Sequence, residues 1–207
     1  MRFSEGEKGR FFVLMGKLIL ILGGARSGKS RFAGNLACKF SKKIIYIAAA
    51  QALDEEMIQR IAKHKKNRSK NWKTIEEPKD LERIKRLLTK SESGVKRSLP
   101  EGDKVILFEC LTLWVSNFMH EDTKGLRVKG QGLREKEIID KIKNFIKFLR
   151  KEKKTSIFVS NEVGCGIVPD NSSARDFRDI QGRVNQLVAE LADEVYFVVA
   201  GIGVKIK

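Results

Sequence analysis

The chain has 207 residues, three cysteines and a formal net charge of +16. A length of this order holds one domain whose core needs neither disulfides nor metal, and no apolar run approaches the ~20 residues of a membrane span. Cys38, Cys110 and Cys165 are widely spaced and odd in number; they match no zinc pattern or disulfide framework and point to a reducing cytoplasm. The basic balance attracts polyanions, whether nucleic acid, nucleotides or acidic lipid. The lysines are scattered along the chain rather than gathered in a tail, so nucleic acid is not the expected partner.

The opening MRFSEGEKGRFFVLMGK carries acidic residues and no apolar signal core. No secretion signal is read there, and residues 1–16 are set apart as an N-terminal extension to a single domain at 17–207. KLILILGG (17–24) is apolar throughout, as a strand buried on both faces requires. A helix is predicted from Gly28 to about Phe40. KIIYIAAA (43–50) reads as a second buried strand and 54–66 as a helix opened by Asp54, Glu55 and Glu56. NWKTIEE (71–77) is a short strand, and Pro78 starts a helical segment to about Lys90. KVILFEC (104–110) and TSIFVSNEV (155–163) are further buried strands, 174–192 a helix, and EVYFVVAG (194–201) a strand followed by a turn into VKIK, a short edge strand. Two stretches, 91–102 and 120–134, read as mobile inserted loops, with His120 exposed in the second. Strands alternating with helices indicate an α/β fold with a mainly parallel sheet.

GGARSGKS (23–30) fits G-x-x-x-x-G-K-S between a strand and a helix, the context a P-loop requires. Gly23 and Gly28 allow turns that a β-carbon would obstruct. The N–H groups of Gly24, Ala25, Arg26 and Ser27, with the helix N-terminus, then face phosphate oxygens. Lys29 neutralises β/γ-phosphate charge and Ser30 holds Mg²⁺. Glu109, ending VILFE, is placed to complete the Mg²⁺ shell; a strand-end carboxylate paired with a lysine is the other reading. These features define nucleotide phosphate chemistry and no more, because ATPases, kinases and GTPases share them.

Further stretches narrow the field: YIAAAQALDEEMIQRIAKHKKNR, WKTIEE, FECLTLWVSN, SNEVGCGIVPDN and ARDFRDIQGRVNQLVAELADEVYFVVAGIGVKIK. With LGGARSGKS, and in this order, they resemble the bifunctional adenosylcobinamide kinase / adenosylcobinamide-phosphate guanylyltransferase family of cobalamin assembly, from about residue 17 to the C-terminus except for the two insertions. The resemblance implies a P-loop domain of RecA-like type, a homotrimer, and two reactions. A nucleoside triphosphate, ATP or GTP, phosphorylates the aminopropanol hydroxyl of adenosylcobinamide. GMP then passes from GTP to that phosphate through a GMP-histidine, and His64 is that histidine by resemblance.

The decamer QRIAKHKKNR (59–68) alone reads as a surface histidine on a basic amphipathic helix. Under the resemblance its chemistry is sensible. A neutral imidazole can attack the α-phosphorus and later leave, while Lys63, Lys65, Lys66 and Arg68 disfavour its charged form and stabilise phosphate charge. Met57, Ile61 and His64 share one helical face, which is expected to pack toward the sheet and aim the ring inward. The resemblance further places GTP against Ala48, Ala49 and Ala50, through backbone groups, and against Lys65, Lys66, Asn67 and Arg68. Many relatives carry a hydroxyl residue in that alanine trio, so one side-chain hydrogen bond is in doubt here. Glu76 suits guanine, since a carboxylate accepts from both N1–H and the 2-amino group; a solvated carboxylate is the other reading.

Asn161 and Glu162 follow the fourth buried strand, where active-site loops of open α/β sheets gather. They orient the substrate hydroxyl or a metal-bound water, or they belong to a structural turn built on Gly164 and Gly166. Arg175, Arg178 and Arg183 meet the corrinoid phosphate or a neighbouring subunit, or pair with Asp176 and Asp179. Cys110 and Cys165 read as small buried residues, and Trp72 and Trp114 as packing residues. Two competing readings stand beside the bifunctional transferase: a kinase without guanylylation, against which His64 and Glu76 argue, and a RecA-like ATPase or nucleic-acid-binding module, which lacks a recognisable recognition helix.

Overall fold

The computed structural model describes residues 16–52, 54–66, 68–69, 71–89, 104–120 and 131–207; the side chains of Arg60, Lys63, His64, Lys104, His120 and Gln131 fall outside that description. In chain order the elements are β1 (Leu18–Gly23), α1 (Lys29–Phe40), β2 (Lys43–Ala48), α2 (Glu55–Lys66), β3 (Lys73–Glu76), α3 (Leu81–Thr89), β4 (Lys104–Glu109), α4 (Leu111–His120), α5 (Gln131–Lys151), β5 (Ser156–Asn161), α6 (Ser172–Leu191), β6 (Glu194–Val199) and β7 (Ile202–Lys205). The strands form one sheet in the order β3-β2-β4-β5-β1-β6-β7. Every pairing is parallel except β6 with β7. This is the expected P-loop α/β sheet with an edge strand at its C-terminal end, and β5 separates the P-loop strand from the Glu109 strand.

The strands are apolar on both faces because helices cover both. On one face Ala33 and Ala37 of α1 pack with Ile19, Ile21, Ile44, Tyr46, Val105, Leu107 and Val159. On the other, α3, α4, α5 and α6 bury Ile84, Trp114, Phe145 and Val184 against Leu20, Ile47, Phe108 and Phe158. Trp114 is fully buried, with its indole N–H donating to Lys79 O at 3.0 Å, so it packs as expected. Trp72 packs too, stacking on Tyr46 at 6.0 Å between ring centroids.

The structure corrects several expectations. Helices α4 and α5 occupy a region for which no helix was predicted. α4 is apolar nearly all round (LTLWVSNFMH) and so shows no helical period. Residues 131–134 belong to α5 rather than to a loop, and His120 closes α4. Residues 1–15, 90–103 and 121–130, with most of both predicted insertions, lie outside the described residues. Helix α2 forms where predicted but buries none of its described side chains; Ile58 is 45% exposed. The expected packing of its apolar face on the sheet is therefore not observed. Four apolar residues in twelve make too narrow a stripe to hold this basic helix against a sheet face.

The segment joining β3 to α3 is built on a buried carboxylate. Glu77 accepts from the N–H groups of Lys79 (3.1 Å) and Asp80 (2.9 Å) and from the Arg83 guanidinium at 2.5 Å. Burial works to raise the Glu77 carboxyl, but these donors outweigh it and hold the group below the usual carboxylate range. A depressed folded value means that this stabilisation is present in full above the ordinary glutamate value of 4.5 and is lost as pH falls through the folded value. Glu77→Gln is expected to cost about 1–2 kcal/mol near neutral pH. Thermal melts of both proteins should show the gap closing as the pH is lowered from 4.5 through the folded value.

Candidate functional site

The C-terminal ends of the parallel strands gather the predicted residues at one edge of the sheet, where open α/β folds bind ligands. Ala48 stands in register with both Glu109 and Glu76, and Gly23 with Asn161. The loop 24–28 leaves β1 here and turns into α1. Gly28 has φ +91, and a β-carbon on it would lie 2.9 Å from Gly201 Cα. The loop is clamped from two sides: Gly201 N–H donates to Ser27 O at 2.7 Å and Glu162 N–H to Gly23 O at 3.1 Å. Gly28→Ala meets both the left-handed backbone and the clash with Gly201. It is expected to cost about 1–3 kcal/mol of stability and to weaken nucleotide binding, measurable by thermal melts with and without GTP.

Lys29 is 8% exposed, and its ammonium donates to Gly24 O at 2.9 Å, folded back over the loop. Burial lowers its pKa, with the Glu109 carboxylate opposing. Cys110 is buried as expected, and burial pushes its thiol up, so it remains protonated. Glu109 is half-buried and accepts from the Tyr46 hydroxyl at 3.0 Å. Burial first, then the Glu109 charge, raise the Tyr46 phenol, which stays a donor. The Arg68 guanidinium carbon lies 3.8 Å from the centroid of the same Tyr46 ring. On the neighbouring strand end, Glu76 pairs with Lys65 at 2.5 Å; the side chains are 58% and 51% exposed. An exposed pair of this kind is worth little by itself, but it ties the end of α2 to the end of β3.

Beneath Asn161 lies a buried polar network. Asn161 N–H donates to the Thr112 hydroxyl at 2.7 Å, and its carbonyl accepts from Asn185 Nδ2 at 3.0 Å. The Ser160 hydroxyl donates to Asn185 Oδ1 (2.7 Å) and accepts from Gln181 Nε2 (2.9 Å). These contacts fix the strand end beside the P-loop. Neither Tyr46 nor this network was identifiable in the sequence: Tyr46 is one more non-polar residue in KIIYIAAA, and Thr112, Ser160, Gln181 and Asn185 follow no spacing that marks a site.

Residues 19–206 match the model of the cobinamide kinase / cobinamide phosphate guanyltransferase (CobU) family. The chain belongs to this family. It is 42% identical over 192 residues to the bifunctional adenosylcobalamin biosynthesis protein CobU of Salmonella typhimurium, covering 92% of this chain and 99% of that one. The Escherichia coli protein of the same name is 39% identical, with 92% and 99% covered. The bifunctional adenosylcobalamin biosynthesis protein CobP of Pseudomonas aeruginosa is 38% identical, with 91% and 96% covered. Membership decides between the classes that a P-loop leaves open: the chain is a transferase of this family rather than a nucleic-acid-binding ATPase.

For a family transferase the structure brings together the P-loop residues Gly23 to Ser30, Glu109, Asn161, Glu162, Lys65, Arg68 and Glu76. The His64 side chain and Asn67 lie outside the described residues, although the His64 backbone belongs to α2. Lys66 is exposed at the end of α2. Most backbone groups of the alanine trio are engaged within the fold. Ala48 and Ala49 are buried, Ala48 O accepts from Glu77 N–H, Ala49 N–H donates to Glu109 O, and Ala49 O accepts from Asn117. These groups hold the fold together, which leaves Ala50 as the partly exposed member. Glu162 shapes its own turn, its carboxylate accepting from Gly164 N–H at 2.6 Å. The arginines do not form the expected pairs as a set. Arg178 pairs with Asp179 at 3.7 Å, Arg183 pairs with Glu135 of α5, and Arg175 donates to Pro169 O and Asp170 O. Cys165, expected to be buried, is exposed on the 162–169 loop.

Proposed function

We propose that this protein phosphorylates the aminopropanol hydroxyl of adenosylcobinamide and then transfers GMP to the phosphate so formed. The observation that supports this most is the meeting, in a family member, of the P-loop, Glu109 and the tethered end of the His64 helix at one edge of the sheet. In the first reaction the hydroxyl oxygen attacks the γ-phosphorus of ATP or GTP and its proton passes to solvent. The bond from that phosphorus to the β–γ bridging oxygen breaks, and the nucleoside diphosphate leaves. The loop N–H groups and Lys29 neutralise the charge that builds on the departing oxygens.

In the second reaction an imidazole nitrogen of His64 attacks the α-phosphorus of GTP, and pyrophosphate leaves. An oxygen of adenosylcobinamide phosphate then attacks the same phosphorus, the P–N bond breaks, and the imidazole is restored as adenosylcobinamide-GDP forms. Lys65, Lys66, Asn67 and Arg68 neutralise the triphosphate, and Glu76 exchanges its Lys65 partner for the guanine N1–H and 2-amino group.

Ser30 and Glu109 offer a hydroxyl and a carboxylate, hard oxygen donors that suit Mg²⁺; the ion would supply charge neutralisation between phosphates. Asn161 and Glu162 face the same edge and orient the substrate hydroxyl. Among the described residues no helix is long and apolar enough to cross a membrane, and we place the enzyme in the cytoplasm as a homotrimer with residues 17–207 as its single domain. Incubation with GTP labelled at the α-phosphate, then at the γ-phosphate, tests the reading. The α-label should be retained on the protein, acid-labile and base-stable, and should move to added adenosylcobinamide phosphate. Formation of adenosylcobinamide-GDP without any protein-bound label would refute it.

A further inference from the structure

Tyr46 is 4% exposed and lies in the middle of β2, on the face covered by α1. Such a residue would ordinarily be counted as core. Its two ends, however, serve different groups of the site. The hydroxyl donates to Glu109 Oε2 at 3.0 Å across to β4. The ring carries the Arg68 guanidinium at 3.8 Å, a cation–π contact close enough to orient the side chain. Arg68 Nε is buried and has no hydrogen-bond partner among the described residues, and the Tyr46 ring beneath the guanidinium helps to position it. Trp72 stacks on Tyr46 and is itself held close to Gly34 of α1, where a β-carbon would come within 3.2 Å of the indole. The ring is thus braced by its neighbours and has little freedom to follow either group.

We propose that Tyr46 is a positioning residue that holds the metal-side carboxylate Glu109 and the phosphate-side cation Arg68 in fixed relation through one aromatic side chain. The proposal rests on the roles given above to Glu109 and Arg68. Its content is that the two are not independent: one ring sets the carboxylate by its hydroxyl and the guanidinium by its face. A carboxylate that loses such an outer donor gains rotamers and binds a metal less well. A guanidinium that loses the ring beneath it swings away from the phosphates.

The test is equilibrium binding of a non-hydrolysable GTP analogue, by calorimetry, across a Mg²⁺ series and with Mg²⁺ removed by chelation. Tyr46→Phe keeps the ring and deletes the hydroxyl. It should raise the Mg²⁺ concentration for half-maximal enhancement of binding about 10-fold and leave Mg²⁺-free affinity within about 2-fold of wild type. Tyr46→Leu removes both functions. It should show the same Mg²⁺ shift and also lose roughly 5-fold in Mg²⁺-free affinity, a loss that disappears when the comparison is made in an Arg68→Ala background. Thermal melts of each variant separate this pattern from loss of fold, and Tyr46→Phe, which removes one oxygen, guards against a collapsed leucine variant. A wild-type Mg²⁺ profile in Tyr46→Phe overturns the proposal, as does full additivity of Tyr46→Leu with Arg68→Ala. If wild-type binding ignores Mg²⁺, or Arg68→Ala binds the analogue normally, the roles of Glu109 or Arg68 are wrong and the proposal falls with them.

Discussion

His64→Ala is expected to abolish guanylyl transfer, by about 10³-fold or more, while phosphorylation of adenosylcobinamide stays measurable. The asymmetry follows from where covalent catalysis enters. Transfer of the γ-phosphoryl group is direct and depends on the P-loop, which His64 does not belong to. In the proposed reading, transfer of GMP is split into two displacements that need a nitrogen nucleophile able to leave again, and alanine supplies none. Thermal melts of the variant distinguish a kinetic loss that is chemistry from a loss of fold. Two measurements check it: adenosylcobinamide-GDP formation from preformed adenosylcobinamide phosphate, and retention of α-label from GTP. Both should vanish together. A variant that forms no covalent adduct yet still makes the product at the wild-type rate would show that the GMP never rests on this residue.

Lys29→Ala is expected to lower kcat/KM of both reactions by on the order of 10²- to 10⁴-fold. Lys29 is the buried cation of the phosphate cradle, already drawn over the loop onto Gly24 O. Its ammonium can exchange that carbonyl for phosphate oxygens with little movement, so it is prepared for the charge that develops on transfer. Because burial lowers its pKa, the charged form of Lys29 is disfavoured in the folded chain. The alanine variant should therefore be about as stable as wild type, and a large kinetic effect without a stability effect would be informative. Parallel assays with adenosylcobinamide and with adenosylcobinamide phosphate carry a second result. Equal losses mean that one triphosphate grip serves both steps. A loss confined to the kinase step would require a second site for the GTP that loads His64.

The features that could be read in the linear chain share a physical character. KLILILGG and KVILFEC declare themselves as strands because burial on both faces leaves no room for polar alternation. GGARSGKS declares a phosphate cradle because the loop is made by consecutive residues, so its geometry is a matter of spacing. Glu109 followed from its place at the end of a buried strand. Ile138, Ile142, Phe145 and Leu149 of helix α5 recur at helical spacing, but the helix opens in a Gly- and Lys-rich stretch that reads as a loop. Helix α4 had no period to find.

Side chains that meet across the sheet are another matter. Tyr46 reaches Glu109 only because β2 lies next to β4, and strand order is set by how whole layers close over a core. The commitment of Ala48 and Ala49 to Glu77, Glu109 and Asn117 depends on the same closure. The stripe Met57, Ile61, His64 fits the helix that forms at Glu55–Lys66 but could not say what covers it, since amphipathicity is a property of one element and contact belongs to two. The chain order therefore established the fold class and the family. The partners of Glu109, Arg68 and Asn161 came from packing, because residues distant in sequence become neighbours only when the helices bury both faces of the sheet.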